Sequence, residues 1–169
     1  MANESTARGE PVTLGELNGF EIYPMPMFAT LAVDDVAVVA AWYEQALGFG
    51  AMFRAPGAGG QPSMVHLRRR KYQDILIVAS RGASSAPQPT LTLTFNADGD
   101  VDALAERARG VEAVGKSEVH GPVETGWNTR DLRVTDPIGH RLIFTARSPN
   151  PDPAQAERWK AMFDAARKS

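Results

Sequence analysis

The sequence predicts an α+β fold built from two βαβββ modules, with a helix added at the C-terminal end. Three observations carry this. An apolar run from Phe28 to Val33 leads through Asp34 and Asp35 into helix-spaced apolar residues that stop at Gly48. The same order returns about 60 residues later, a period too long for a solenoid repeat: Thr90 to Phe95, then Asp98-Gly99-Asp100, an apolar stripe, and Gly110. Beyond Ser-Pro-Asn-Pro-Asp-Pro, residues Trp159, Met162, Phe163 and Ala166 share one helical face.

The elements follow in order. Residues 1–26 read as an extension. Gly9, Pro11, Gly15 and Gly19 interrupt any long element there, and Leu14, Leu17, Phe20 and Ile22 are its candidate anchors. From Phe28 to Val33 small residues and Thr alternate with larger apolar ones, a strand with two different faces. An Asp carboxylate accepts an orphan backbone N–H, so Asp34-Asp35 predicts a helix start. Val36, Val39, Ala40, Tyr43 and Leu47 form its stripe, and Gly48 can take the left-handed conformation that ends it. Residues 51–56 (AMFRAP) read as a strand. Ser63–Arg69 and Tyr72–Ser80 read as a hairpin around Arg70-Lys71. Residues 81–89, rich in serine and proline, read as a linker. In the second module, Thr90–Phe95 alternates strictly, Asp98, Gly99 and Asp100 supply a turn and a cap, and Val101, Leu104, Ala105 and Ala108 stripe a helix. Strands are expected over Val111–Val119, Trp127–Thr135 and His140–Ala146. Turns are expected at Gly121-Pro122 and at Asp136-Pro137-Ile138-Gly139. In the last helix Asp152 is the cap and Pro153 suits the first turn. The predicted organisation is one domain over 27–146, with modules 27–80 and 89–146, and a helical extension over 147–169.

Composition narrows the function. Of the 169 residues, 43% are hydrophobic and 22% charged, the profile of a globular rather than a disordered chain. The net charge of −2 lacks the basic excess that a duplex nucleic-acid binder needs. There is no cysteine, which excludes disulfides, thiolate nucleophiles and Cys-type zinc sites and suits a cytoplasmic protein. No stretch reaches the ~18 continuous apolar residues of a membrane span, and the first dozen residues lack an apolar signal core. No Gly-x-Ser-x-Gly elbow occurs, and Gly57, Gly59 and Gly60 lack the lysine and serine of a phosphate loop.

Two motifs, LAVDDVAVVAAWYEQALGF at Leu31–Phe49 and WNTRDLRVTDPIGHRLIF at Trp127–Phe144, resemble the vicinal oxygen chelate superfamily of glyoxalase I, extradiol dioxygenases and bleomycin-resistance proteins. The resemblance covers residues 27–146. It implies curved mixed sheets around a cavity, commonly in a homodimer. The superfamily's metalloenzymes carry four ligands on strands, and these positions fall here on Phe28, Ile77, Thr90 and Ile143. None is His, Glu or Gln, so the resemblance implies the fold without metal or other cofactor.

The cavity lining follows from period two. With Phe28 inward, Thr30 and Ala32 are inward. Thr90, Thr92 and Thr94 follow, with Ile75 and Ile77, then Arg141 and Ile143. Phe53 and His66 join the set from neighbouring strands. Trp127 opens a strand after Glu124-Thr125-Gly126, where the binding-protein branch resembled here often places a cavity-mouth Trp. The candidate ligand-binding residues are therefore Phe28, Thr30, Phe53, His66, Ile77, Thr90, Thr92, Trp127, Arg141 and Ile143. The alternative for each is plain packing or exposure. His140 is expected to be exposed, and the run Arg68 to Lys71 to be a solvated turn. The expected function is metal-independent binding of a small hydrophobic or aromatic molecule, as in antibiotic sequestration. The alternative is a metal-free isomerase, hydrolase or cyclase, for which His66 and Asp131 are the acid–base candidates.

Overall fold

Asp35 starts the first helix as the sequence predicts, its carboxylate accepting the Val38 N–H at 2.9 Å. Gly48 ends that helix, α1 (Val36–Leu47), in the left-handed conformation at φ 69°. The computed structural model describes residues 15–17, 19–22, 25, 27–80, 90–97 and 99–167. A short hairpin, β1 (Gly15–Leu17) and β2 (Phe20–Ile22), turns at Gly19. The first module then runs β3 (Ala29–Val33), α1, β4 (Gly50–Pro56), β5 (Pro62–Arg68) and β6 (Asp74–Ala79). The second runs β7 (Thr92–Asn96), α2 (Val101–Arg109), β8 (Glu118–Glu124), β9 (Thr129–Thr135) and β10 (Arg141–Arg147). The last helix is α3 (Pro153–Ala166).

The two sheets have the same topology, β3-β6-β5-β4 and β7-β10-β9-β8, with the first pair parallel and the others antiparallel. A parallel first pair needs a crossover connection, which the helix and two further strands supply. The modules meet through their helices. Arg107 on α2 donates to the carbonyls of Gln45 at 2.7 Å and Glu44 at 3.0 Å, satisfying acceptors that the end of α1 leaves open. One aromatic chain crosses the junction. Trp42 meets Tyr43, Tyr43 meets Phe49 and Phe49 meets Phe95, all edge to face, and Phe95 stacks on Phe144 at 5.2 Å. The core is continuous over both modules.

Several expectations are corrected. Gly121-Pro122 is a bulge inside β8, where the register against β9 shifts between His120 and Val123. A bulge leaves a residue unpaired, so proline's missing N–H costs the ladder nothing there. Val111–Val119 is strand only from Glu118. Asp100 makes no side-chain cap on α2. His140 is buried rather than exposed, and its Nδ1 accepts the Leu91 N–H at 3.3 Å. The linker over 81–89 and the candidate anchor Leu14 lie outside the described residues, as do the side chains of Leu17, Phe20, Ile22, Phe163 and Ala166.

Candidate functional site

Each sheet has one face under the helices and one open face. On the first sheet Leu31, Val33, Val65, Leu67, Ile75 and Ile77 are buried on the helix side. The register sets the open face in rows. Thr30 pairs with Leu76, Leu76 with His66, and His66 with Phe53. The next row is Ala32, Val78, Met64 and Ala55. This face is apolar and solvent-exposed at its edges, with Phe28 at 44% and Phe53 at 48% of full exposure. Thr30, Phe53 and His66, distant in sequence, therefore share one row.

His66 is held by the next pair on the same face, Arg68 and Asp74. Its Nε2 lies 2.7 Å from Oδ1 of Asp74, which also accepts from Arg68 Nε at 2.7 Å. The Asp74 side chain is fully buried, and those of Arg68 and His66 are 4% and 16% exposed. Arg68 also reaches the Glu21 carbonyl at 2.5 Å, and Lys71 pairs with the Glu21 carboxylate at 3.1 Å, which ties the N-terminal hairpin to this sheet. The basic run is a solvated turn only at Arg70 and Lys71, which are exposed. Arg68 is buried, and Arg69 sits 5.2 Å over the Phe144 ring and donates to the Leu47 and Asn96 carbonyls.

The second sheet's open face is polar. Its rows are Thr92, Arg141, Thr135, Glu118, then Thr94, Ile143, Arg133, His120, then Asn96, Thr145, Asp131, Val123. Asp131 is occupied structurally, accepting from Thr145 at 2.7 Å and Thr129 at 2.9 Å. Arg133, Arg141 and Arg147 make no ion pair among the described residues. Thr90 and Arg141 line a cavity of about 480 Å³ with Lys116, Ser117, Glu118 and Thr135.

Two expected site residues lie elsewhere. Ile77 is completely buried under α1, and Ile75 with it; Leu76 and Val78 take the open face. All four are apolar, so alternation gave no phase, and pairing with β3 decided it. Trp127 is 65% exposed in the turn before β9, but one side of its ring stacks on Trp159 of α3 at 4.3 Å. Asn128 and Asp152 exchange hydrogen bonds of 2.8 and 3.1 Å, and Gln155 donates to the Gly126 carbonyl, so this turn is where α3 docks. Asp74, Met64, Leu76 and Arg133 were missed. The only signal for Asp74 was a carboxylate opening a strand opposite a basic residue, which becomes informative only once the hairpin register is known.

The Asp-Pro-x-Gly turn is an inter-module clasp. One Asp136 oxygen accepts the N–H groups of Ile138 at 3.0 Å and His140 at 2.7 Å. The other accepts the Tyr43 hydroxyl of α1 at 2.8 Å. Burial, with the Asp136 charge beside it, holds the Tyr43 hydroxyl well above the ordinary tyrosine range.

Comparison with known proteins bears on this architecture. Residues 26–144 match the family model of the glyoxalase/bleomycin resistance protein/dioxygenase superfamily. The chain belongs to this superfamily. Three solved structures share the superfamily fold with it. TioX from Micromonospora sp. ML1 is 22% identical, with 72% of this chain and 97% of that chain covered and a TM-score of 0.56. The bleomycin resistance determinant encoded on transposon Tn5 is 23% identical, with coverages of 72% and 96% and a TM-score of 0.55. A bleomycin-binding protein complexed with bleomycin is 23% identical, with coverages of 72% and 98% and a TM-score of 0.54. No curated protein is significantly similar to the chain in sequence. The metal of the superfamily's metalloenzymes does not fit the residues here. Phe28 and Ile143 carry no donor atom, Thr90 offers only a hydroxyl, and in β6 the open-face residues are the apolar Leu76 and Val78 in place of the core residue Ile77. Among the described residues no three His, Asp or Glu side chains are grouped to hold an ion. Among them also, no helix is long and apolar enough to cross a membrane.

Proposed function

We propose that this protein binds a small hydrophobic or aromatic molecule without metal, in the manner of an antibiotic-sequestering protein, and does so as a cytoplasmic homodimer. The observation that carries the reading is the apolar open face of the first sheet, where Phe28, Phe53, Met64, Leu76 and Val78 surround one histidine. Ligand sites combine apolar walls with a few placed polar groups, and this face has that character. Thr92, Arg141 and Ile143 supply the more polar wall. Both faces are open in one chain, and a second copy is the cover that would enclose them. The bleomycin complex of a fold neighbour supports the antibiotic-binding side of the reading. Trp127 is assigned to the docking of α3 rather than to the ligand.

The test is calorimetric titration with planar aromatic compounds, together with light scattering and metal analysis after dialysis. Binding is expected to follow dimer formation and to leave the compound unchanged. Phe53→Ala removes part of the apolar wall and is expected to weaken binding about tenfold. Stoichiometric metal held on the open faces would refute the metal-free assignment, and a monomer at micromolar concentration would refute the enclosed site. A second reading, a metal-free enzyme, draws on the His66–Asp74 pair, which resembles the base-and-orienter arrangement of acid–base catalysts. Chemical change of the bound compound, lost in His66→Ala, would select it.

A further inference from the structure

We propose that His66, positioned by Asp74, accepts a hydrogen bond from a phenolic or enolic O–H of the ligand. The inference rests on the apolar-face reading above and names the chemistry of the group recognised there. A carboxylate can only accept, so the imidazole nitrogen facing Asp74 at 2.7 Å carries a proton. In the neutral ring the other nitrogen, Nδ1, then holds a lone pair. Nδ1 makes no hydrogen bond among the described residues, and the ring stands in the open-face row between Phe53 and Leu76, with Thr30 beyond.

The surroundings select the donor. A ligand carboxylate has no proton to give at neutral pH. A ligand ammonium does have protons, but Asp74 is already paired with Arg68, and the apolar neighbours Phe53 and Leu76 would strip the ammonium of water without returning a counter-charge. A weakly acidic O–H on a flat apolar body satisfies both requirements. Its body lies on Phe53 and Leu76, and its edge donates to Nδ1. Arg68 and Asp74 are positioning residues here, fixing the tautomer and orientation of the ring.

The experiment titrates the full chain at neutral pH with naphthol and with its methyl ether, which keeps the aromatic body and lacks the donor. Naphthol is expected to bind about tenfold more tightly. In His66→Phe the ratio of the two affinities is expected to fall to within about twofold, whatever their absolute values. Equal affinities in the natural protein would overturn the proposal while leaving the apolar-face reading intact. Binding of neither compound would remove both. Nitrogen NMR of the natural protein supplies a test that needs no variant. The Nε2–H tautomer is expected, with the Nδ1 resonance moving on addition of naphthol and not of the ether. An Nδ1–H tautomer, or an Nδ1 resonance indifferent to naphthol, would overturn the assignment.

Discussion

Replacing Tyr43 by Phe isolates the clasp between the modules. The ring remains, and with it the edge-to-face contacts to Trp42 and Phe49. Only the hydroxyl is lost, and with it the 2.8 Å bond to a buried carboxylate 93 residues away. A hydrogen bond to a charged group contributes about 1.5–3 kcal/mol, and Asp136 keeps two backbone N–H donors, so the loss is expected within that range. For a chain of this size the melting temperature should fall by roughly 3–12 °C. The assay is thermal and urea unfolding followed by circular dichroism. The alkaline limb gives a second reading. The folded state holds the Tyr43 proton above the ordinary tyrosine range. As pH rises past about 10 the unfolded chain releases that proton while the folded one keeps it, so this contribution to stability falls. The gap between the natural protein and Tyr43→Phe should therefore be full at neutral pH and narrow above about pH 10. A neutral-pH loss under about 0.5 kcal/mol, or a gap that does not narrow, would refute the clasp.

Two further changes probe the frame around the site. Trp159→Ala removes the stack on Trp127; an aromatic pair contributes about 0.5–1.5 kcal/mol beyond its buried area, so the melting temperature should drop by roughly 1–6 °C and the Trp127 emission shift to the red. Unchanged emission would mean that α3 does not dock at that turn. Gly115, at φ +56°, lies where an added Cβ would run into the Pro137 carbonyl, whereas Gly99, at φ +86°, has open space around it. In urea unfolding Gly115→Ala should therefore cost more than about 1 kcal/mol and more than Gly99→Ala; equal costs would show that the Pro137 turn can yield.

The sequence by itself determined the features that depend on near neighbours. The Asp35 cap, the Gly48 stop, the stripe of α1 and the repeated strand–helix order all lie within a few residues of the groups they act on, and their periodicities remain readable without the rest of the chain. Alternation also placed Thr30 and Thr92 on faces opposite Leu31 and Leu93. Tertiary structure decided whatever depends on pairing between distant strands. In β6 both sides of the strand are apolar, so only its register with β3 sends Ile77 under the helix and Leu76 to the open face. Asp74 is one unremarked carboxylate in the Tyr72–Ser80 run until the β5–β6 hairpin sets it against Arg68 and His66. Trp127 reads as a ligand platform until α3, more than twenty residues later, brings Trp159 onto its ring. Tyr43 reads as an ordinary core residue until the turn at Asp136 meets its hydroxyl. In each case the deciding partner is far along the chain. Local pattern specifies which faces exist; the energy of burying one face, and of pairing a buried charge, is set by what the completed fold places against it.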